Sequence, residues 1–312
     1  MQKIKTISVA GPTASGKTAL SVELARRLDG EIVSFDSMQL YRGMNIGTAT
    51  PDMTERGGIP HHMFDICEPE DSFSAADYAA AAAPVITDIA SRGKAVILCG
   101  GTGMYLDSLM KISSYKEGKS NEGLRKELAE YAEKNGNEAL HQKLREIDSE
   151  SAEKIHPNNV KRVIRAIEIY RLTGMTKTQV DAEQVTGECA YDNTNVIIDY
   201  RNRDILYDRI NRRVDLMLRD GLIEEARTLY DSGRLGGKTA SQAIGYKELV
   251  PYFEGKCTLI EAAEQIKLNT RHYAKRQITW FNRYDGIRLA PDEGEVLRTA
   301  SELADAVVEA IS

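Results

Sequence analysis

The chain has 312 residues, of which 42% are hydrophobic, and this composition can bury a sizeable core, which excludes a disordered protein. Its 41 basic and 47 acidic residues give a formal charge of -6, so binding to nucleic acid would have to depend on local basic patches rather than on an overall field. The four cysteines form no CxxC pair, which argues against a zinc site or a thioredoxin-type redox site.

The N-terminal segment has too short an apolar run for a secretory signal, and we expect a protein that is not exported. The most apolar helical stretch, 78–89, contains Pro84 and Asp88 and is shorter than the run of about 20 residues that crosses a bilayer. We therefore predict a soluble, cytoplasmic protein that has no membrane partner and acts as a monomer.

Four short apolar segments, separated by helical patterns, predict an α/β fold with a parallel sheet covered by helices on both faces. The predicted strands are 4–10, 31–37, 95–100 and 195–200. The first strand leads into a glycine-rich loop and then into a helix over 17–28. Further helices are predicted over 204–220, 223–232 and 258–284.

The segment 116–192 is rich in Glu, Lys, Ala and Leu and has almost no strand signal, so we interpret it as a helical insertion between 1–115 and 193–312. Its clearest helix follows Pro157, with Asn158 or Asn159 as the N-cap, and ends at 173–174. The residues that this helix is predicted to bury are Val160, Val163, Ile164, Ile167 and Tyr170.

The loop after the first strand, 11–18, reads GPTASGKT and matches the P-loop pattern GxxxxGK[ST]. Between a buried strand and a helix start, its backbone N–H groups can bind phosphate oxygens. Lys17 would add a mobile ammonium, and the Thr18 hydroxyl would ligate Mg²⁺. The predicted phosphate-binding residues are Gly11, Thr13, Ala14, Ser15, Gly16, Lys17 and Thr18. The loop alone leaves open whether it holds a nucleotide or another diphosphate.

The third predicted strand ends in a glycine-rich segment, 100–103, without the carboxylate that organises Mg²⁺ and water in hydrolysing P-loop ATPases. The candidate carboxylate is instead Asp36, at the end of the second strand. Because strand ends of a doubly wound sheet open into one ligand crevice, we expect Asp36 and Thr102 to face the phosphate site. Asp36 could accept a proton, and Thr102 could orient it or the substrate.

Six motifs follow one another from the first strand to about Phe281: GPTASGKT, DSMQLYRGMNIGTATP, GGTGMYLDSL, IHPNNVKRVIRAIE, SQAIGYKEL and TRHYAKRQITWF. Their order and spacing resemble the tRNA dimethylallyltransferase family. The resemblance implies a P-loop NTPase-like catalytic core and a helical insertion that contacts tRNA. It also implies transfer of a dimethylallyl group from the co-substrate dimethylallyl diphosphate to N6 of the adenosine that follows the anticodon.

The resemblance also implies roles for individual residues. Asp36 would be the general base on N6, and Thr102 would lie beside the same atom. Lys17, the loop amides and Mg²⁺ on Thr18 would neutralise the charge that builds on the departing diphosphate. The residues implied to line the flipped adenine are Ser37, Met38 and Gln39.

Arginine would also stabilise the leaving group, because its planar fork matches phosphate oxygens. Arg209 and Arg213 are four residues apart on one predicted helix and therefore share a face. The family has an arginine on the diphosphate in this segment. Of the two, Arg209 is the first choice and Arg213 the second.

Contacts with the tRNA anticodon stem-loop are implied in three segments. The residues concerned are Lys161, Arg162 and Arg165, then Ser241, Gln242, Gly245 and Tyr246, and finally Lys275 and Arg276. The segment 112–124 departs from the family pattern, so no RNA contact is assigned there.

Two other functions are compatible with part of the sequence. A P-loop small-molecule kinase would use the same loop for ATP and Asp36 to accept a proton from an alcohol, but it leaves the basic helices unexplained. A noncatalytic RNA-binding protein or nucleotide switch would explain the basic helices, but the combination of a complete P-loop with Asp36 argues against binding alone.

Overall fold

The structure is a computed structural model that describes residues 3–110, 121–184, 189–237, 239–294 and 296–311, without the side chains of 183 and 184. The chain forms two compact units. One comprises Met1–Met110 and Ala190–Ser312, and the other comprises Lys111–Cys189, whereas the sequence pattern places the insertion at 116–192. Among the described residues, every helix lacks the length or the apolar character that a membrane span requires.

The larger unit is built on one sheet of six strands. In chain order these are β1 (Ile4–Ala10), β2 (Gly30–Ser34), β3 (His61–His62), β4 (Ala95–Gly100), β5 (Tyr191–Ile198) and β6 (Ile287–Leu289). Their spatial order is β3-β2-β4-β1-β5-β6, and all neighbouring pairs are parallel. β4 therefore lies between β1 and β2, and the carboxyl ends of these three strands form one edge of the sheet.

Fourteen described helices surround the sheet or form the insertion. They are α1 (Lys17–Arg27), α2 (Met53–Arg56), α3 (Ala75–Ser91), α4 (Gly103–Met110), α5 (Glu122–Asn135), α6 (Asn137–Ile147), α7 (Ser149–Lys154), α8 (Val160–Thr173), α9 (Lys177–Gln184), α10 (Arg203–Arg219), α11 (Leu222–Asp231), α12 (Val250–Phe253), α13 (Leu259–Phe281) and α14 (Ala300–Ile311). Two short 3₁₀ turns lie at Arg234–Gly236 and Ala240–Gln242.

The central strands have continuous apolar runs because helices cover both faces of the sheet. Val9 of β1 and Ile97 of β4 are fully buried in one cluster with Leu20 of α1, Ile210 of α10 and Val307 of α14. This packing fixes the strand ends and the starts of α1 and α10 relative to one another. The residues that carry chemistry lie at those ends.

The insertion unit has its own core, formed by Leu140 and Leu144 of α6 with Val163 and Ile167 of α8. The predicted helix in this unit is confirmed as α8, which ends at Gly174 with φ of 74°. Its apolar side is narrower than predicted, because Val160 is only partly buried and Tyr170 is exposed. Asn159 is the N-cap, but its side chain makes no capping hydrogen bond.

Candidate active site

The predicted phosphate loop lies between β1 and α1, as the sequence pattern indicates. Gly11 has φ of 150°, and a Cβ there would approach the Ile198 carbonyl oxygen to 2.7 Å, so the position requires glycine. Gly16, with φ of 95°, is the N-cap of α1. The Ser15 hydroxyl is buried and has no hydrogen-bond partner among the described residues, which is typical of a site that a ligand or water completes.

Lys17 faces a cavity of about 260 Å³ at the carboxyl edge of the sheet. Its ammonium donates a hydrogen bond to the Pro12 carbonyl oxygen at 2.6 Å. Burial, with a smaller contribution from the positive charge of Arg213, lowers the pKa of Lys17 to about 8, while the charge of Asp36 opposes the shift. Lys17 and Arg213 are two half-buried cations beside one cavity, and this arrangement favours an anionic ligand.

Asp36 lines the same cavity, two residues beyond the end of β2. Its Oδ1 atom accepts a hydrogen bond from the Met38 backbone N–H at 2.9 Å. Burial raises the pKa of Asp36 above its usual range, and the charges of Lys17 and Arg213 work in the opposite direction. The carboxyl group is therefore a stronger base than an exposed carboxylate and is stabilised in its ionised form by two cations.

Thr102 makes its described side-chain hydrogen bonds to Ser37, the residue that follows Asp36. Its hydroxyl accepts a hydrogen bond from the Ser37 backbone N–H at 3.0 Å and donates to the Ser37 hydroxyl at 3.1 Å. Ser37, Met38 and Gln39 all line the cavity. Thr102 therefore holds the segment that follows Asp36, and its expected place beside the reacting nitrogen stays a prediction.

Both polar and apolar side chains line the cavity. Besides Ser37 and Gln39, the polar ones include Thr13, Lys17, Thr18, Asp36, Arg213, Gln242, Lys247, Tyr273, Arg276 and Gln277. The apolar ones include Met38, Ile210, Val214, Met217, Ala243, Ile244 and Ile266. The sequence alone does not predict these apolar positions together, because most of them come from α10, α13 and the segment between the 3₁₀ turn at Ala240–Gln242 and α12, and no local period connects them.

The two candidate arginines occupy different positions on α10. Arg213 is half-buried and lines the cavity, and burial lowers its pKa. Arg209 is exposed, and its Nε atom donates to the Ala14 carbonyl oxygen of the loop at 2.9 Å. Arg213 therefore reaches the cavity, whereas Arg209 contacts the loop backbone, and which of the two binds the diphosphate stays a prediction.

Gln277 of α13 is a site residue that sequence reasoning missed. Its Oε1 atom accepts from the Thr13 backbone N–H at 2.8 Å, and its Nε2 atom donates to the Gly101 carbonyl oxygen at 2.9 Å. A Cβ at Gly101 would lie 2.1 Å from that Nε2 atom, so this approach requires glycine. Gln277 thus connects the loop after β1 with the loop after β4. The RQITW motif contained it, but its role depends on a long-range contact.

The residues implied to contact tRNA in the core unit fall into three groups. Gln242, Gly245 and Arg276 line the cavity. Lys275 is exposed on α13, and Ser241 is half-buried. Tyr246 requires a correction, because its side chain is fully buried and its hydroxyl donates to Glu225 Oε1 at 2.6 Å. Tyr246 is therefore a packing residue and not a surface contact.

In the insertion unit, Lys161 and Arg162 are exposed on α8. Arg165 is half-buried and pairs with Glu168 at 2.6 Å. Glu168 is fully buried and also accepts two hydrogen bonds from Arg125, both at 2.8 Å. Arg165 thus neutralises a buried carboxylate, which is a structural role that the basic pattern of the helix did not reveal.

Comparison with known proteins gives consistent results. The family model for IPP transferase matches residues 39–284. A tRNA dimethylallyltransferase of Caldanaerobacter subterraneus subsp. tengcongensis is 45% identical over 288 residues, which cover 91% of this chain and 91% of that protein.

Two solved structures are also similar. The full-length tRNA isopentenylpyrophosphate transferase from Bacillus halodurans has a TM-score of 0.71 and 42% identity, covering 98% of this chain and 96% of the other. A eukaryotic dimethylallyltransferase acting on tRNA has a TM-score of 0.78 and 30% identity. The match covers 99% of this chain and 78% of the other. The sheet, the loop after β1 and these neighbours assign the α/β, P-loop NTPase-like fold. The chain belongs to the IPP transferase family, the prenyl-transferring enzymes named tRNA dimethylallyltransferases.

Proposed function

We propose that the protein transfers a dimethylallyl group from dimethylallyl diphosphate to N6 of adenosine 37 in tRNA, releasing diphosphate. One observation carries this proposal: Lys17, Arg213 and Asp36 face the same cavity. The two cations suit a diphosphate, and the carboxylate suits the proton that the adenine amine must lose. The family relationship supports the same reaction.

The polar side chains of the cavity would hold the diphosphate. Lys17 and Arg213 are half-buried cations whose pKa values are lowered chiefly by burial, and an anion between them would compensate the charges that are poorly solvated there. During transfer the bond between the allylic carbon and oxygen breaks, and the diphosphate leaves with the electron pair. Cations fixed in advance stabilise this developing charge more than water does.

The apolar side chains of the cavity would hold the hydrocarbon. Ile210, Val214 and Met217 on α10 and Ile244 in the segment before α12 line the cavity. At about 0.8 kcal/mol for each buried carbon, full burial of a five-carbon group contributes about 4 kcal/mol. The same surfaces exclude water, which would otherwise compete with the amine for the allylic carbon.

Asp36 would act on the acceptor. The N6 lone pair attacks the allylic carbon, and the amine proton passes to the Asp36 carboxylate. Burial raises the pKa of this group, so it takes the proton more readily than an exposed carboxylate. Thr102, through Ser37, would hold the backbone on which Asp36 is placed.

Magnesium fits the residues at the phosphate end of the cavity. Thr18, in the first turn of α1, lines the cavity, and its hydroxyl would supply the oxygen donor that Mg²⁺ prefers. When bound there, Mg²⁺ would neutralise part of the diphosphate charge. Lys17 and Arg213 would orient the same group from their own positions.

The anticodon stem-loop of tRNA would supply the adenosine. A base must leave its stack to enter the cavity, at a cost of a few kcal/mol that contacts with the pocket and the backbone offset. Arg276 and Gln242 at the cavity are placed for such contacts, and exposed Lys275, Lys161 and Arg162 would bind phosphates. Tyr246 is not included, because it is buried.

A transfer assay tests this function. The purified protein, Mg²⁺ and dimethylallyl diphosphate are incubated with an unmodified tRNA, and the nucleosides are analysed by mass spectrometry. We expect N6-dimethylallyladenosine and one diphosphate per product. A matched tRNA with guanosine at the acceptor position should give no product. Consumption of ATP in step with product, or absence of prenylated nucleoside, would contradict the proposal and favour a kinase or a binding protein.

A further inference from the structure

Glu225 of α11 makes an unusual set of contacts with a segment of the cavity wall. Its Oε2 atom accepts from the backbone N–H groups of Asn45 and Ile46, both at 2.9 Å. Its Oε1 atom accepts from Ile46 and Gly47 at 3.1 Å and from the Tyr246 hydroxyl at 2.6 Å. One carboxylate therefore binds three consecutive backbone N–H groups and a buried phenol.

The charge of this group is favourable where it lies. Glu225 is in the first turn of α11, where the partial positive charge of the helix N-terminus stabilises a carboxylate. Consecutive N–H groups that converge on one point form a concave binding site for an anion. In 45–47 the anion that these N–H groups bind is the Glu225 carboxylate.

The opposite side of the segment is held by Gln39, whose Nε2 atom donates to the carbonyl oxygens of Thr48 at 3.4 Å and Ala49 at 3.2 Å. Ala49 has φ of 52°, a left-handed conformation that residues other than glycine adopt rarely. The conformation of 45–49 therefore depends on side chains outside this segment. Glu225 binds its backbone N–H groups, and Gln39 binds its carbonyl oxygens.

The packing leaves this segment little freedom. A Cβ at Gly47 would lie 2.5 Å from Cε2 of the Tyr246 ring, so glycine is required for the approach of the two. Gly47, Thr48 and Ala49 line the cavity together with Lys17 and Asp36. A shift of this segment would change the shape of the cavity at the place where the donor is expected.

We propose that Glu225 is a positioning residue that fixes 45–49 as one wall of the cavity and thereby sets the affinity for the prenyl diphosphate. Glu225 does not line the cavity in the described structure, so it acts through the backbone that it binds. The inference rests on the proposed function for the identity of the donor. The restraint on the segment itself rests only on the contacts of Glu225.

Two measurements on the purified protein test the inference. The first is hydrogen exchange of the amides in 45–47, and the second is the kinetic dissection of KM for dimethylallyl diphosphate and kcat at saturating tRNA. In Glu225→Ala we expect at least about tenfold faster exchange in this segment and a donor KM raised about tenfold or more, with a smaller change in kcat, because one hydrogen bond to a charged carboxylate is worth about a factor of ten or more. Glu225→Gln keeps one acceptor oxygen and should be intermediate.

Glu224→Gln is the matched control, because Glu224 is the exposed neighbour on the same turn and should behave as wild type. If Glu225→Ala does not fold, Glu225→Gln and Tyr246→Phe provide the same test with smaller changes. A merely structural role would lower the amount of active enzyme, so kcat would fall while the donor KM stayed constant.

The outcomes separate this inference from the proposed function. Unchanged donor KM in folded Glu225 variants, or a loss of kcat alone, would overturn the inference while leaving transferase activity in place. Unchanged exchange of the 45–47 amides would also overturn it. If the wild-type protein transfers no prenyl group, the proposed function fails, and the exchange experiment still decides whether Glu225 restrains the segment.

Discussion

The Oε1 atom of Gln277 accepts a hydrogen bond from the backbone N–H of Thr13 at 2.8 Å, although the two residues are 264 positions apart in the chain. The same side chain reaches Gly101 through its Nε2 atom. α13 therefore holds the phosphate loop and the loop after β4 at a fixed separation. The cavity lies between these loops and α10.

We predict that Gln277→Ala raises the KM for dimethylallyl diphosphate by about 5- to 30-fold, because loss of one or both hydrogen bonds costs about 1 kcal/mol each. The Thr13 N–H and the Gly101 carbonyl would lose their shared partner. Steady-state kinetics at saturating tRNA measure the effect. Gln265→Ala, on the exposed side of the same helix, is the control and should leave KM unchanged. Equal KM values for Gln277→Ala and Gln265→Ala would argue against a role of the two Gln277 hydrogen bonds in donor binding.

The two arginines of α10 should differ in their effect on the donor. Arg213 lines the cavity, so Arg213→Gln should weaken donor binding by about 10- to 150-fold, the range for loss of a hydrogen bond to a charged group. Arg209→Gln should have a smaller effect, because Arg209 contacts the loop backbone. Isothermal titration with dimethylallyl diphosphate gives the comparison. Arg212→Gln is the control, because the Arg212 side chain is exposed, and it should leave donor affinity unchanged. If donor affinity falls more in Arg209→Gln than in Arg213→Gln, Arg209 is the main diphosphate ligand, as expected from the sequence.

Donor affinity should depend on pH through Lys17. Burial lowers the pKa of its ammonium to about 8 in the free protein, and the diphosphate requires the protonated form. Binding should therefore be strongest below pH 8 and should weaken as the pH rises through this value, approaching a tenfold loss per pH unit for one proton. Titrations between pH 7 and 9 measure this, at pH values where the donor phosphates are already ionised. Lys17→Met should bind weakly with a flat profile, and a flat profile in the wild type would contradict the assignment.

Contact of Arg276 with RNA should be visible in the salt dependence of tRNA binding. Arg276 is exposed and lines the cavity. Removing one phosphate contact should reduce the slope of log K against log salt by about 0.7 to 0.9. Filter binding of Arg276→Ala across a salt series tests this, with exposed Lys256→Ala as the control. An identical slope for Arg276→Ala and wild type would exclude the phosphate contact.

The sequence predicted the local parts of the fold well. A buried apolar run followed by GPTASGKT identifies β1, its loop and α1, because each depends on neighbouring residues. β3 and β6 were not predicted, since they have only two and three residues and show no period. α14 was also missed, although it packs against α1. The register of short edge strands depends on partners that are distant in the chain.

Long-range contacts also limited the prediction of the site. Asp36 was predicted from its place after a strand, and it lines the cavity. The spacing of Arg209 and Arg213 put both on one face of a helix but could not distinguish which of them reaches the cavity. Tyr246 lies in a motif yet is buried. A motif contains both ligand-binding residues and the packing residues that hold them in place, and the sequence does not distinguish the two kinds. The carboxylate of Glu225 carries no local signal for its contacts with 45–47.

The rate of the chemical step in Asp36→Asn tests the central claim most directly. The protein is saturated with dimethylallyl diphosphate, mixed with tRNA, and the single-turnover formation of N6-dimethylallyladenosine is measured, with exposed Asp192→Asn as the control. Asparagine keeps the shape of the side chain but cannot accept the proton, so we expect a rate about 10²- to 10⁴-fold below wild type with donor affinity retained. A single-turnover rate equal to that of wild type would contradict the assignment of Asp36 as the base.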